Sequence, residues 1–101
     1  MKIKTSELTG AALDWAVGTA LKLPPPLWDG LRCAAFSTNW SQGGPIIQRE
    51  KIAVDYDHDV WNASIKGQRH YWSGPTPLIA AMRCYVASKL GDEVEIPEEL
   101  K

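Results

Sequence analysis

The sequence predicts an α+β domain: a small antiparallel sheet of about three to four strands packed against an N-terminal and a C-terminal helix. Three observations carry this. Apolar residues recur at helical spacing near both ends of the chain, they alternate with polar ones between Ile52 and Trp72, and Gly and Pro punctuate the stretches between. With 101 residues, 45% of them hydrophobic, the chain has material for one core and not two. The expected organisation is a single domain over residues 1–91 followed by an acidic tail over 92–101.

The first helix follows a short extended piece at Ile3. Thr5 or Ser6 is the expected N-cap, and Leu8, Ala12, Trp15, Ala16, Ala20 and Leu23 fall on one face. Pro24-Pro25-Pro26 ends it, and Trp28-Asp29-Gly30 adds a turn before a short strand over Leu31–Phe36. Trp40 to Pro45 reads as a Gly-rich loop, with Pro45 at the first position of a short helix through Glu50. From Ile52 the alternation Ile52, Val54, Tyr56, His58, Val60 predicts a half-buried strand ending in an acidic turn. Trp61–Ile65 and Arg69–Trp72 flank Lys66-Gly67-Gln68, a hairpin signal, which makes a three-stranded meander. The last helix has the fullest set of signals: Thr76 as cap, Pro77 in the first turn, Gly91 at the end, and a continuous apolar stripe of Leu78, Ile79, Met82, Tyr85, Val86 and Leu90, of which Ile79, Met82, Val86 and Leu90 are expected to pack against the sheet.

Charge and composition narrow the function classes. No window approaches the roughly 20 apolar residues of a membrane span, and the start Met1-Lys2-Ile3-Lys4 lacks a secretory apolar run, so a cytoplasmic protein is expected. Residues 92–101 carry Asp92, Glu93, Glu95, Glu98 and Glu99 against Lys101, and the preceding residues hold ten Lys and Arg against seven Asp and Glu, a body at +3. That excess is too weak for a protein living on the DNA backbone and suits a small anionic ligand held by a few well-aimed groups. Cys33 and Cys84 are too few and too far apart for a disulfide scaffold or a metal knuckle and read as buried free thiols.

Two segments share one pattern: Trp40-Ser41-Gln42-Gly43-Gly44-Pro45 and Trp72-Ser73-Gly74-Pro75-Thr76-Pro77, each a Trp-Ser pair, then glycine and proline, then a helix start. A helix N-terminus has unpaired N–H groups and partial positive charge, and glycines before it let an anion approach the backbone. The candidate ligand-binding residues are therefore Trp40, Ser41, Gln42, Gly43 and Gly44 in one segment and Trp72, Ser73, Gly74 and Thr76 in the other. Arg83 joins them as a fork for an oxyanion. A tryptophan would stack a base, and Gln42 would read a base or ribose edge. The two segments share a pocket only if their helix starts converge. Gly-Pro before a helix is also ordinary start chemistry, and tryptophans are ordinary core.

Asp55, Asp57 and Asp59, with His58 between them, offer hard oxygen ligands but lack the glycine and distal glutamate of a calcium loop. A metal-assisted hydrolase is the weakest reading. His58 and His70 have no nucleophile at a telling spacing, and there is no Walker loop, dinucleotide fingerprint or zinc pattern, so no cofactor is expected. The chain is expected to be a non-enzyme.

The stretches Lys2-Ile3-Lys4-Thr5-Ser6-Glu7-Leu8-Thr9-Gly10-Ala11-Ala12-Leu13-Asp14-Trp15-Ala16-Val17, Trp40-Ser41-Gln42-Gly43-Gly44-Pro45-Ile46-Ile47 and Gly74 through Val94 together resemble the NinX-like family of small phage proteins. The segment Thr19–Ser37 departs from that pattern. The resemblance implies a phage-encoded accessory protein in a bacterial host and carries over no catalytic residue. Two functions compete. One is a counter-defence module that sequesters a nucleotide-derived or phosphorylated signal, such as a cyclic nucleotide. The other is a protein–protein adaptor acting through aromatic surface or the acidic tail. A homo-oligomer is expected in either case, because Trp28, Trp61 and Trp72 exceed what one small core needs.

Overall fold

The computed structural model describes residues 2–22, 35–57, 59–65 and 71–96. Among them run β1 (Lys2–Lys4), a 3₁₀ turn (Thr5–Glu7), α1 (Gly10–Ala20), α2 (Trp40–Glu50), β2 (Ile52–Asp57), β3 (Val60–Ile65), β4 (Trp72–Gly74), α3 (Pro77–Leu90) and β5 (Glu93–Glu95). The expected meander is present as an antiparallel sheet ordered β2-β3-β4, and β1 pairs antiparallel with β5 in a second, two-stranded sheet. The mixed α+β class stands as predicted.

α3 is the hub. Thr76 Oγ1 accepts the Ile79 N–H at 3.1 Å, Pro77 opens the helix, and Gly91 closes it at φ +93°, a conformation few residues but glycine adopt. The helix packs on the sheet as expected, with Met82 and Val86 of the stripe wholly buried, while Leu78 lies against Gly43 of α2. Burial is not confined to that stripe: Ala80, Ala81 and Cys84 are buried too, because α1 packs α3 from another side. The inner face of the sheet supplies Ile52, Ala63 and Trp72, with Val54, Trp61 and Ile65 half-buried beside them. Cys84 is a free buried thiol, as read from the sequence, and burial pushes its pKa up to about 11.

Several expectations are corrected. The first helix begins after Thr9, not after Thr5 or Ser6. Thr5 is instead fully buried, its hydroxyl donating to Gly91 O at 2.6 Å and its N–H to Asp92 O at 2.7 Å, which ties the start of the chain to the end of α3. Residues Trp40–Pro45 are not a loop but the first turns of α2, with Pro45 inside the helix. The cap is Asn39, well ahead of both glycines: its Oδ1 accepts from Ser41 N at 2.9 Å. The 52–60 alternation breaks after Asp57, because Asp59 takes φ +67° in a tight reversal and Val60 starts β3 opposite Asp57. Residues 92–96, expected within a solvated tail, hold β5, with Val94 and Ile96 buried in the core.

Other expectations lie outside the described residues. These are the proline run and the Trp28-Asp29-Gly30 turn, the Leu31–Ala34 part of the short strand, the Lys66-Gly67-Gln68 turn with Arg69 and His70, and also His58, Leu23, Cys33 and residues 97–101. Of that short strand, Ala35 and Phe36 are described and are not strand; Phe36 opens a turn that leads into the Asn39 cap.

Candidate functional site

The two Trp-Ser-Gly-Pro segments come together, because α2 and α3 start side by side. At Gly43 an added Cβ would run into the Phe36 carbonyl oxygen and stand 2.6 Å from Leu78 Cδ1, so the missing side chain lets α2 lie against the first turn of α3. Gly74 does the same between β4 and α3, where a Cβ would sit 2.8 Å from the Ala80 nitrogen. Both glycines are sites of close packing, which corrects the idea that their open side admits an anion: protein atoms already fill it.

The corner between β4 and α3 divides two cavities. The larger, of about 500 Å³, brings together Trp72, Ser73, Gly74 and Arg83 from the expected set with Tyr71 and Asp59, and Ser6, Val60 and Pro75 complete its wall. The smaller, of about 200 Å³, brings Trp40 and Thr76 together with Ser37, Thr38, Leu78 and Ile79. Ser41, Gln42, Gly43 and Gly44 line neither. Ser41 is spent on the Asn39 cap, its hydroxyl 2.6 Å from Asn39 Oδ1, and Gln42 Oε1 accepts the Ala35 N–H at 2.6 Å, so both hold the turn before α2.

Arg83 is the central polar group of the larger cavity. Its Nε–H donates to Leu8 O and its Nη1 to Ser73 O, both at 2.8 Å, which locks the guanidinium between the start of α1 and β4. The Nη2 group makes no such bond to a described residue, and arginine presents it as a fixed donor. Burial lowers the Arg83 pKa, as expected for a cation partly removed from water. Tyr71, 64% exposed, stands on the rim as a flat aromatic face.

Asp55, Asp57 and Asp59 do not converge. Asp55 and Asp57 border a shallow hollow of about 360 Å³ with Asn62 and Tyr71, whereas Asp59 belongs to the Arg83 cavity. Among the described residues no group of three His, Cys, Asp or Glu is placed to hold a metal ion. Asp14, buried in α1, accepts the Ser37 N–H at 2.8 Å. Burial raises its pKa against the opposing pull of Ser37, whose hydroxyl stands near the carboxylate without completing a hydrogen bond.

Sequence reasoning missed Tyr71, Ser6 and Ser37, and it grouped Asp59 with Asp55 and Asp57 instead of with Arg83. Tyr71 had a signal, because next to an inward Trp72 a strand neighbour must point away from the core.

The fold and its cavities define a small α+β protein with a ligand-sized hollow on each side of one Ser-Gly-Pro corner, and no helix among the described residues is long and apolar enough to cross a membrane. The family model described as Bacteriophage P22, NinX matches residues 4–89, and the chain belongs to that phage family. No curated protein matches it.

Proposed function

We propose that this phage-family protein binds and sequesters a nucleotide-derived or phosphorylated small-molecule signal, such as a cyclic nucleotide, in the host cytoplasm, as a counter-defence accessory that needs affinity and no chemistry. The observation that carries the reading is Arg83. Its guanidinium is immobilised by two backbone carbonyls in the wall of a cavity of about 500 Å³, with the Tyr71 ring on the rim. A preset donor loses little freedom on binding an oxyanion, and an exposed aromatic face accepts any base. The Ser73 hydroxyl already donates to Asn62 Oδ1 at 3.1 Å, and Asp59 accepts from a ribose hydroxyl or a base amino group.

Calorimetry against a panel of cyclic and linear nucleotides tests this. Arg83→Ala should weaken binding by about 1.5–3 kcal/mol through loss of a charge-assisted bond. Tyr71→Ala, at an exposed position, should weaken it by roughly 1–3 kcal/mol without touching the fold. If no member of the panel binds, the adaptor reading takes first place. That reading has its own support in Trp40, Tyr56 and Tyr71, which are 55%, 55% and 64% exposed. The same aromatics now carry the proposal of a homo-oligomer, since Trp72 is core and not interface. Light scattering that returned only the 11.2 kDa monomer at roughly tens of micromolar would end it.

A further inference from the structure

We propose that the outer edge of β2 is a self-pairing surface: the β2 strands of two copies run antiparallel about a two-fold axis at Val54 and join their sheets into one. This rests on the homo-oligomer reading above and gives it a surface and a register.

The two edges of the sheet are built differently. β4 is three residues long, contains Gly74 and runs into Pro75, a short and broken edge. β2 is six residues long, holds neither glycine nor proline, and pairs with β3 alone among the described strands. Asp57 and Val60 face each other across a tight reversal, so they exchange hydrogen bonds, and by antiparallel alternation Asp55 and Ala53 do the same with Asn62 and Ser64. Ile52, Val54 and Tyr56 therefore turn their N–H and C=O groups to the open side. No backbone bond from these three reaches a described residue outside the sheet. Such a row is a template for another strand.

Tyr56 supplies the independent pointer. It shares the inner face with Ile52 and Val54, yet it is 55% exposed while Ile52 is 6% exposed. Its ring stands tilted to Trp61 at a centroid distance of 5.1 Å, and more than half of the residue still meets solvent. A large aromatic left uncovered at a core-facing position, beside an unpaired edge, marks the place of a missing neighbour.

The side chains select a second copy as that neighbour. Only with Val54 opposite Val54 of the second copy do all three open residues find a partner, Ile52 pairing with Tyr56 at both ends. Each exposed Tyr56 then lies beside a buried Ile52. A shift towards the hairpin sets Asp55 opposite Asp55, carboxylate against carboxylate. A shift the other way sets Ala53 opposite Ala53 and leaves Tyr56 beyond the end of the other strand. On the outer face the Val54 register puts Ala53 against Asp55, and puts the exposed Lys51, just ahead of the strand, against Asp57. Opposite charges thus meet on both sides of the axis, and β2 is complementary to itself.

Sedimentation velocity over a concentration series measures dimerisation, and disulfide trapping reads the register. Ala53→Cys and Asp55→Cys are prepared separately in a Cys33→Ser background, Cys84 being buried. In the Val54 register the two positions form a non-hydrogen-bonded pair with Cα atoms about 4.5 Å apart, within reach of a disulfide. Oxidising a mixture should link one variant to the other, and either variant alone should link poorly. Lys51→Glu should raise the dimer dissociation constant roughly tenfold by setting like charges opposite, and adding Asp57→Lys should restore it. Val54→Pro removes only an outward N–H and should give a folded monomer by circular dichroism; if it fails to fold, the charge swap and the disulfides decide. A monomer at every concentration, which leaves the edge to a strand of another protein, would overturn this surface and the homo-oligomer reading together. A dimer that keeps its affinity in Val54→Pro and Lys51→Glu, or that links Asp55→Cys to itself, would overturn the proposed pairing alone.

Discussion

Trp40-Ser41-Gln42-Gly43-Gly44-Pro45 and Trp72-Ser73-Gly74-Pro75-Thr76-Pro77 are close to the same words, and the fold uses them in opposite ways. In the first the tryptophan is the opening residue of a helix and 55% exposed; in the second it is a strand residue on the inner face of the sheet and 9% exposed. The position of the cap makes the difference. Asn39 precedes its tryptophan, so everything after it is helical, whereas Thr76 follows Trp72, Ser73 and Gly74, which leaves them free to pair with β3. Each segment is also steadied by one partly hidden charge: Asp14 accepts from Ser37 N ahead of the first, and Arg83 donates to Ser73 O within the second. A shared motif thus fixes neither backbone nor burial until its cap is located.

The tryptophans give the largest expected contrast. Trp72→Ala should destabilise by about 3–5 kcal/mol, the range for a large core aromatic, while Trp40→Ala should stay within about 0.5 kcal/mol. Urea unfolding of the two variants checks this, and equal losses would mean that Trp40 is covered in solution, by a second copy or a partner. The glycines come next and should behave alike. Gly43→Ala and Gly74→Ala each force a methyl against backbone, the Phe36 carbonyl in one case and the Ala80 nitrogen in the other, at roughly 1–3 kcal/mol. Wild-type stability in either variant would show that its segment does not pack as tightly as described.

Asp14 and the first segment connect through pH. Because burial raises the Asp14 pKa above its unfolded value, the folded state holds this proton more tightly than the unfolded chain does. Its contribution is therefore unfavourable at neutral pH and relaxes as pH falls through the folded pKa towards the ordinary aspartate range. Asp14→Asn keeps an oxygen for the Ser37 N–H and removes the titration. Thermal melts of this variant should show a higher midpoint at neutral pH than the parent and a flatter profile below it. A parent whose stability only falls between neutral pH and the aspartate range, with the same slope in Asp14→Asn, would place the titrating group elsewhere.

How far the sequence could be read follows from where each signal sits. α3 was legible because Thr76, Pro77 and Gly91 bracket one apolar stripe, and the β2-β3-β4 meander because alternation needs no knowledge of the rest of the chain. The start of α2 was not, since two glycines and a proline oppose a helix on local propensity alone; packing against Leu78 and Phe36 outweighs them, and Pro45 withholds only the N–H due to the exposed Ser41 carbonyl. β5 was written in plain alternation, Glu93-Val94-Glu95-Ile96, but its negative charge drew the eye to a tail. The Arg83 cavity was half legible: Trp72, Ser73, Gly74 and Arg83 belong to one segment and its helix, while Ser6, Asp59 and Tyr71 arrive from elements that only the tertiary fold assembles.

The caps test the explanation itself. Asn39→Ala and Thr76→Ala should each cost about 1 kcal/mol, because each removes the side-chain acceptor of one helix-start N–H. If Asn39→Ala were silent, α2 would begin later than Trp40, and the contrast between the segments would shrink.

Gly44→Ala is the smallest effect and the sharpest check on that point. Gly44 is half-buried inside α2, and a Cβ there meets nothing closer than Trp40 Cε3 at 3.7 Å, an ordinary contact. Alanine in a helix interior is favoured over glycine by roughly 0.5–1 kcal/mol, because less backbone freedom is lost on folding. Gly44→Ala should therefore raise the unfolding midpoint slightly, next to a Gly43→Ala that lowers it. In a Gly-rich loop cradling an anion the same methyl would instead block the backbone and weaken binding. Loss of stability in Gly44→Ala would thus return Trp40–Pro45 to a loop and dissolve the difference between the two segments.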